Sequence, residues 1–289
     1  MKRIIALSIF VCLLVGVSAK GPKKLTVLHT SDTHSCILPL NSNLADKNVA
    51  GLGGFIRRID MLKQERQKDP NLLLFDCGDF SQGSSYYTMF QGDVEVGLMN
   101  RMHYDAVTIG NHEFDFGLEN MTRLFKMANF PVVCSNYDFT DTELKDIVKP
   151  YLVLKRKGVK IGIFGLCPPL EGLVSNKNYG PLKFLDPIEV THKMIDVLRN
   201  QKKCDIVICL SHLGWEVSEY PDNKVIQNTS GIDLLLGGHT HTYMEQMGYD
   251  TDKTGKRVPV DHEGKHGAYV GKMVLTIGNC PNKTRLSHR

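Results

Sequence analysis

The chain of 289 residues carries 35 basic and 31 acidic side chains, which gives a formal net charge of +4 at pH 7. This near balance excludes a strongly basic surface, so binding to a nucleic acid polymer through bulk charge is not expected. Hydrophobic residues make up 42% of the chain, and its length suffices for one large domain with a buried core.

The N-terminus has the features of an export signal. Two basic residues precede an apolar run at 4–17, and the small residues that end at Ala19 offer a cleavage site. The run is too short for a transmembrane helix. We predict a signal peptide at 1–19 and a single domain at 20–289 with no membrane association; an uncleaved anchor is the alternative. The protein would be periplasmic in a double-membraned bacterium and secreted otherwise.

The cysteines do not indicate a disulfide framework. There are eight, of which Cys12 lies in the N-terminal apolar run, so the mature chain has an odd number and no CxxC pair. Cys77, Cys134, Cys167 and Cys209 stand in apolar, strand-like runs, where cysteine usually acts as a small buried hydrophobic residue.

Strands and helices alternate along the first half of the chain. Continuous apolar runs predict buried strands, and apolar residues at helical spacing predict the helices between them. Glycines at 92 and 97 are expected to interrupt one helical region. In chain order we predict a strand over 25–31, a helix over 51–68, a strand over 72–77, a helical region over 84–102, a strand over 107–109, a helix over 118–128 and a strand over 131–135.

The second half continues the alternation. Asp186 is the predicted N-cap of a helix with proline in its first turn, and Lys157-Gly158 is the predicted turn of a hairpin. Buried strands that alternate with helices make an α/β domain. The predictions are a hairpin over 151–166, a helix over 187–201, strands over 206–210 and 234–236, a polar segment over 248–265 and a strand over 268–277.

Five of the predicted strands end in a polar cluster. In open α/β sheets ligands bind beyond the carboxyl ends of the strands, so these loops are expected to meet in one crevice. The GNHEFD cluster alone could bind metal, steady a phosphate, pass a proton or form an Asn-mediated turn. The clusters are DTH at 32–34, GD at 78–79, GNHEFD at 110–115, SH at 211–212 and GGHTH at 237–241.

These side chains are of the types that bind divalent metal ions. Carboxylate, imidazole and amide groups suit zinc, manganese or iron, and there are enough of them for two ions with one shared carboxylate. His239 and His241, two apart in an extended segment, would point to opposite faces and so serve different ions. Two ions about 3.5–4 Å apart polarise an ester's oxygens and make hydroxide from a bound water, which fits in-line displacement at phosphorus.

The five blocks resemble those of the calcineurin-like metallophosphoesterases. Longer stretches, LHTSDTH at 28–34, DCGD at 76–79 and NHEFDFG at 111–117, are similar to the catalytic domain of exported 5′-nucleotidases and 2′,3′-cyclic phosphodiesterases. The resemblance covers nearly the whole mature chain. It implies a four-layer αββα sandwich of two mixed β-sheets flanked by helices. It also implies hydrolysis of phosphate monoesters, chiefly the conversion of nucleoside 5′-monophosphates to nucleoside and phosphate.

The resemblance also implies a role for each residue of the site. His112 would contact the phosphate and protonate the leaving group, Asp115 would orient His112, and Asn111 would contact substrate as well as metal. Asn136 is a weaker candidate for a substrate contact, with a turn-forming Asn as the alternative. One divalent ion would be held by Asp32, His34, Asp79 and His241, and the other by Asp79, Asn111, His212 and His239.

Three aromatic residues and six further histidines have no assigned role in the chemistry; five of these histidines lie outside the strand-end motifs, namely His103, His192, His262, His266 and His288. His29 is out of step with the motif and is predicted to be structural. Tyr86, Tyr87 and Phe90 offer a stacking surface, but at helical spacing they are more often packing residues.

Two departures from the nucleotidase pattern leave the substrate open. Those enzymes carry a second, substrate-binding domain after the histidine pair, whereas this sequence stops at Arg289, and they often have Gln or Asn in place of His241. The alternatives are a phosphodiesterase acting on 2′,3′-cyclic nucleotides or nucleotide sugars, and the catalytic subunit of a split nucleotidase whose partner polypeptide binds the nucleoside. A non-catalytic module would lack a ligand or the proton donor, and neither is missing.

Overall fold

The computed structural model of the chain describes residues 22–277 and 284–288, so the predicted signal peptide at 1–19 lies outside the described residues. No helix within the described ranges is long and apolar enough to cross a membrane. Two β-sheets of five and six strands form the centre of the described chain.

The first sheet has the N-terminal strand in its middle. In sheet order its strands are β13 (Thr284–His288), β12 (Gly271–Ile277), β1 (Lys23–Thr30), β2 (Leu73–Asp76) and β3 (Ala106–Val107). β1, β2 and β3 pair in parallel, whereas β12 is antiparallel to both β1 and β13. The carboxyl ends of β1, β2 and β3 therefore share one edge of the sheet.

The second sheet repeats this arrangement with different strands. In sheet order they are β10 (Gly248–Thr251), β11 (Arg257–His262), β9 (Leu234–Gly237), β8 (Ile206–Ser211), β6 (Val159–Leu166) and β5 (Tyr151–Arg156). β6, β8, β9 and β11 are parallel, and the two outer strands, β5 and β10, are antiparallel to their neighbours. A separate two-stranded ribbon pairs β4 (Tyr137–Asp138) with β7 (Lys183–Phe184).

The helical regions predicted from the sequence are present, and two short helices, Asn176–Tyr179 and Asp222–Asn228, were not predicted. In chain order the helices are α1 (Phe55–Lys68), α2 (Ser85–Phe90), α3 (Asp93–Met102), α4 (Gly117–Met127), α5 (Asn176–Tyr179), α6 (Pro187–Ile195) and α7 (Asp222–Asn228). The side chain of Asp186 caps α6 by accepting hydrogen bonds from the backbone N–H groups of Ile188 and Glu189, and proline stands in the first turn, as predicted. α6 continues as a π-helical segment, Asp196–Gln201.

Three apolar clusters hold the layers together. Side chains of both sheets, such as Val27 and Ile208, meet in one cluster and show that the sheets pack face to face. A second cluster packs α1, α3 and α4 against the outer face of the first sheet. A third packs α6 and α7 against the second sheet. The helix–sheet–sheet–helix order confirms the four-layer αββα sandwich.

Some local predictions are wrong because tertiary pairing overrides local pattern. Gly97 does not interrupt a helix but lies inside α3, although Gly92 does separate α2 from α3. The strand predicted over 131–135 forms only isolated bridges. The segment 248–265 has a polar sequence, yet it contains the hairpin β10–β11, because β11 pairs with β9 and buries residues 258–262 inside the second sheet.

Candidate metal centre

All seven residues with predicted metal-ligand roles lie at one end of the sandwich. The loops after β1, β2 and β3 supply those from the first sheet, and the loops after β8 and β9 supply those from the second. Six of the seven fall into two sets whose ligand atoms lie within 4.8 Å of one another. We call these sets the first group, which is Asp32, His34 and His241, and the second group, which is Asp79, His212 and His239.

The first group brings three ligand atoms towards a common point. The Nε2 atoms of His34 and His241 are 2.9 Å apart, and each lies within 3.9 Å of Asp32 Oδ1. Atoms that bind one ion at about 2.0–2.2 Å are separated by roughly 3–3.5 Å, so this spacing fits a bound cation. Without an ion, the two nitrogens are close enough to share a hydrogen bond, which a bound cation would replace.

The second group is joined to the first through Asp79. Its Oδ2 lies 3.0 Å from His212 Nε2 and 4.0 Å from His34 Nε2. His212 Nδ1 lies 2.6 Å from the carbonyl oxygen of Cys77, which can only accept, so Nδ1 carries a proton and Nε2 is the nitrogen that could bind a metal. Asn111 Oδ1 is buried and has no hydrogen-bond partner in the described chain. This orphaned oxygen is what a metal ligand would leave in a protein without the ion.

The protonation of these groups suits metal binding. Burial lowers the pKa values of His34, His239 and His241 to about 4, so all three are neutral at pH 7 and able to coordinate. Burial raises the pKa of Asp32 to about 7. Burial acts in the same direction on Asp79, but the neighbouring His212 outweighs it and lowers the pKa of that carboxyl.

His212 is the exception among the histidines of the site. Burial disfavours its charged form, but the charge of Asp79 and their close contact outweigh burial and raise its pKa to about 10. In the metal-free protein, imidazolium and carboxylate therefore form a buried ion pair. A divalent cation would take over the neutralisation of Asp79 and release the proton of His212.

The backbone is strained at most of these positions. Left-handed φ angles are sparsely populated by residues other than glycine and cost about 1–3 kcal/mol each, so they persist only where the surroundings enforce them. Here backbone hydrogen bonds from Asp32 to Gly78 and from His34 to Asp79 help to enforce them. Five of the seven have such angles, namely Asp32 (48°), His34 (43°), Asp79 (54°), His239 (75°) and His241 (55°).

Two glycines leave the space that the carboxylates occupy. A Cβ atom on Gly110 would lie 2.1 Å from Asp79 Oδ1, and one on Gly238 would lie 2.7 Å from Asp32 Oδ2. Both contacts are shorter than any side chain tolerates. The glycines of the GNHEFD and GGHTH blocks are therefore required by close approach between loops of different sheets or strands.

Glu113 organises the loops, a role that the sequence did not suggest. Its buried carboxylate accepts hydrogen bonds from the backbone N–H groups of Asp79 (2.9 Å), Ser81 (3.1 Å) and Gly110 (2.6 Å). Burial raises its pKa to about 7. The same block that carries Asn111 thus fixes the loop after β2. The signal in the sequence was an unexplained second carboxylate beside a cluster of ligand-type residues.

His112 stands beside both groups and is held from two sides. Its backbone N–H donates to Asp79 Oδ1 (2.9 Å), and its ring centroid is 5.4 Å from that of His34. Its Nδ1 is 3.1 Å from Asp115 Oδ2, and this hydrogen bond raises the pKa of His112. The Tyr87 hydroxyl donates to the carbonyl oxygen of His112 (3.3 Å).

The remaining sequence candidates lie outside the two groups. Asn136 is fully buried, and its amide pairs at both ends with the backbone of Cys167, the geometry of a structural residue. His29 contacts Asp261 (3.2 Å). Tyr86 packs against the core, whereas Phe90 is 47% exposed on α2.

An αββα sandwich with two carboxylate–imidazole groups at its strand ends defines the class of metal-dependent phosphoesterases. The sequence pattern of the calcineurin-like phosphoesterase family matches residues 25–243, and the chain belongs to that family. Its chemistry depends on divalent metal ions.

The chain is similar to several 5′-nucleotidases. Human 5′-nucleotidase is 31% identical over 284 residues, which cover 91% of this chain and 48% of the human protein. Snake venom 5′-nucleotidase of Gloydius brevicauda is 29% identical, and the alignment covers 97% of this chain and 50% of the venom protein. The structure of the 5′-nucleotidase precursor from Thermus thermophilus superposes with a TM-score of 0.82 at 30% identity, over 92% of this chain and 54% of that one. The chain thus spans about half the length of these relatives.

Glu113→Ala is expected to destabilise the protein strongly. The substitution leaves three buried N–H groups without an acceptor, and each unpaired group costs about 1–3 kcal/mol. Denaturant unfolding of the metal-free protein should show a loss of about 3 kcal/mol or more. Glu119→Ala, at an exposed carboxylate on α4, is the matched control and should change stability by less than about 1 kcal/mol. Equal losses in both variants would contradict the role of Glu113.

Proposed function

We propose that this chain removes phosphate from phosphate monoesters, in the first place from nucleoside 5′-monophosphates. The observation that carries the proposal is the pair of ligand groups joined at Asp79, with His112 beside them. The 5′-nucleotidase relatives support the choice of substrate.

Two divalent ions fit the donors present. Asp32, His34 and His241 with Asp79 would hold one, and Asp79, His212 and His239 with Asn111 would hold the other. Nitrogen and oxygen donors of this kind suit zinc, manganese or iron. When bound, the ions would polarise the phosphate oxygens and lower the pKa of a water molecule at the site.

His112 supplies the proton that the leaving alcohol needs. Asp115 can only accept, so the hydrogen bond between them places a proton on Nδ1 and favours the imidazolium form. Nε2 makes no hydrogen bond to another described residue and is free to donate to the leaving oxygen. Asp115 orients the ring, and the backbone bond from His112 to Asp79 fixes its distance from the ligand groups.

We further propose that residues 1–19 are a signal peptide that directs export and is then cleaved off. The apolar N-terminal run and its small-residue cleavage site support this, and one relative is a snake venom protein.

A substrate panel tests the proposed reaction. Mature protein loaded with manganese or zinc should release inorganic phosphate from nucleoside monophosphates, and removal of the metal with a chelator should abolish the activity. Cyclic nucleotides and nucleotide sugars in the same panel test the diesterase alternative. Failure of the loaded protein to hydrolyse any phosphoester would overturn the proposal.

Asp79→Ala and His112→Ala are expected to fail in different ways. Loss of Asp79 removes the carboxylate between the two groups, so both ions and nearly all activity should be lost. Loss of His112 removes only the proton donor, so metal content should persist while kcat falls by roughly 10²–10⁴-fold. Elemental analysis beside kinetics separates the two. A metal-free His112→Ala protein would contradict the role given to His112.

Asp115→Asn is expected to move the pH profile of kcat. His112 must be protonated to act as an acid, so activity falls as the pH rises through its pKa. Asp115 raises that pKa, so its neutral replacement lowers it, and the alkaline limb should shift to lower pH. Unchanged metal content is the control, and an unshifted alkaline limb would exclude this coupling.

A further inference from the structure

A tight turn at 264–267 lies across the mouth of the metal centre. The backbone N–H of His266 donates to the carbonyl oxygen of Asp32 (2.7 Å), and the N–H of Gly264 donates to that of Thr242 (2.8 Å). Buried Arg58 holds the far end through the carbonyl oxygen of Gly267 (3.1 Å). The turn is thus fixed to the two loops that carry the first group.

The turn presents a cation beside the first group. Lys265 is exposed at its tip, and its side chain forms no ion pair or hydrogen bond with another described residue. Its charge acts on His241 and on His266, whose ring centroid is 6.1 Å from that of His34. The backbone of the turn is held beside a centre that would bind phosphate, so the Lys265 ammonium, which has no partner among the described residues, can reach an anion there.

Next to this cation stands a pre-oriented aromatic ring. Tyr243 pairs with Glu263 through a backbone bridge and stacks on Tyr269, with ring centroids 4.3 Å apart and an interplanar angle of 19°. Tyr269 is itself anchored by its hydroxyl to the carbonyl oxygen of Asn48 (2.9 Å). Tyr243 is nevertheless 48% exposed, so Tyr269 covers one side of its ring while much of the ring stays open to solvent.

Chain geometry keeps this ring close to the metal centre. Tyr243 is two residues beyond His241, and two residues span at most about 7 Å. A phosphate at the ligand groups and a base on Tyr243 are then separated by a distance that a ribose bridges. Because Tyr269 already holds the ring, stacking a base on it costs little side-chain entropy.

We infer that Tyr243 and Lys265 form the substrate's leaving-group site, in which a nucleobase stacks on Tyr243 and Lys265 contacts the phosphate. This inference rests on the proposed function and names residues of this chain that select nucleotides among phosphate esters.

Two other aromatic-lined cavities fit a nucleotide less well. A cavity of about 440 Å³ behind His112 is lined by Tyr87, Phe116 and the carboxylate of Asp115, and contains no basic side chain. A second, of about 410 Å³, has Tyr220 and Glu219 on its wall and is likewise acidic. Neither cavity offers a cation to a phosphate ester, whereas Lys265 offers one beside the metal centre, where the carboxylates of Glu245 and Glu263 also act on Tyr243.

Paired substrates test the assignment. Metal-loaded Tyr243→Ala should lose about 5- to 100-fold in kcat/KM for adenosine monophosphate, the range that loss of one base–aromatic stack gives. Its kcat/KM for glycerol phosphate, which has no ring, should change less than about twofold. Tyr243→Phe, which keeps the ring, should restore the nucleotide activity. Lys265→Gln should raise KM for both substrates while metal content stays unchanged.

Two control variants make the result decisive. Tyr249→Ala removes a tyrosine on β10 of similar exposure, 42%, whose ring lies under Arg257 of β11, and should affect neither substrate. Phe116→Ala probes the opposite cavity. A selective nucleotide loss in Phe116→Ala, or equal losses on both substrates in Tyr243→Ala, would overturn the assignment.

The failure of this inference and that of the proposed function are distinguishable. If the wild-type protein hydrolyses glycerol phosphate and Tyr243→Ala has no selective effect, only the leaving-group site is disproved. If the wild-type protein hydrolyses neither substrate, the proposed phosphomonoesterase function is disproved as well.

Discussion

The structure depends on burying two like charges in one place. Asp32 and Asp79 are both buried and both reach the same histidines, an arrangement that repulsion and desolvation oppose. In the chain alone, protonated His212 offsets the charge of Asp79. Two divalent cations would offset both carboxylates and would engage the neutral imidazoles as well, so the site is energetically complete only with metal.

The fold maintains this unfavourable arrangement by fastening loops from two sheets to one another. The backbone of His239, after a strand of the second sheet, donates to the carboxylate of Asp32, after a strand of the first. His212 is tied in the same way to the carbonyl oxygen of Cys77. Glu113 closes the loops after β2 and β3. These bonds join loops of two sheets that pack face to face. The ligand residues therefore keep their left-handed backbone angles.

The two sides of the centre carry different charged side chains. On one side Asp115 holds the ring of His112, the proposed proton donor, and on the other Lys265 is exposed at the tip of its turn. In the proposed reaction His112 donates a proton to the leaving oxygen, and Lys265 contacts the phosphate from the other side. The arrangement uses only residues of this chain, which matches about half the length of the 5′-nucleotidases it resembles.

The order of the amino acids alone was enough to predict the α/β class, most strands and helices, and the residues that converge, because strand ends carry ligand-type side chains in blocks short enough to recognise. It did not reveal Glu113, the structural use of Asn136, or the β10–β11 hairpin, whose polar residues look like a loop. Each of these depends on partners far away in the chain: backbone N–H groups of another loop, the backbone of Cys167, and the edge of β9. The positions of Tyr243, Tyr269 and Lys265 likewise depend on the fold. The stack and the turn form where separate segments of the chain meet, and the local sequence does not predict which segments those are.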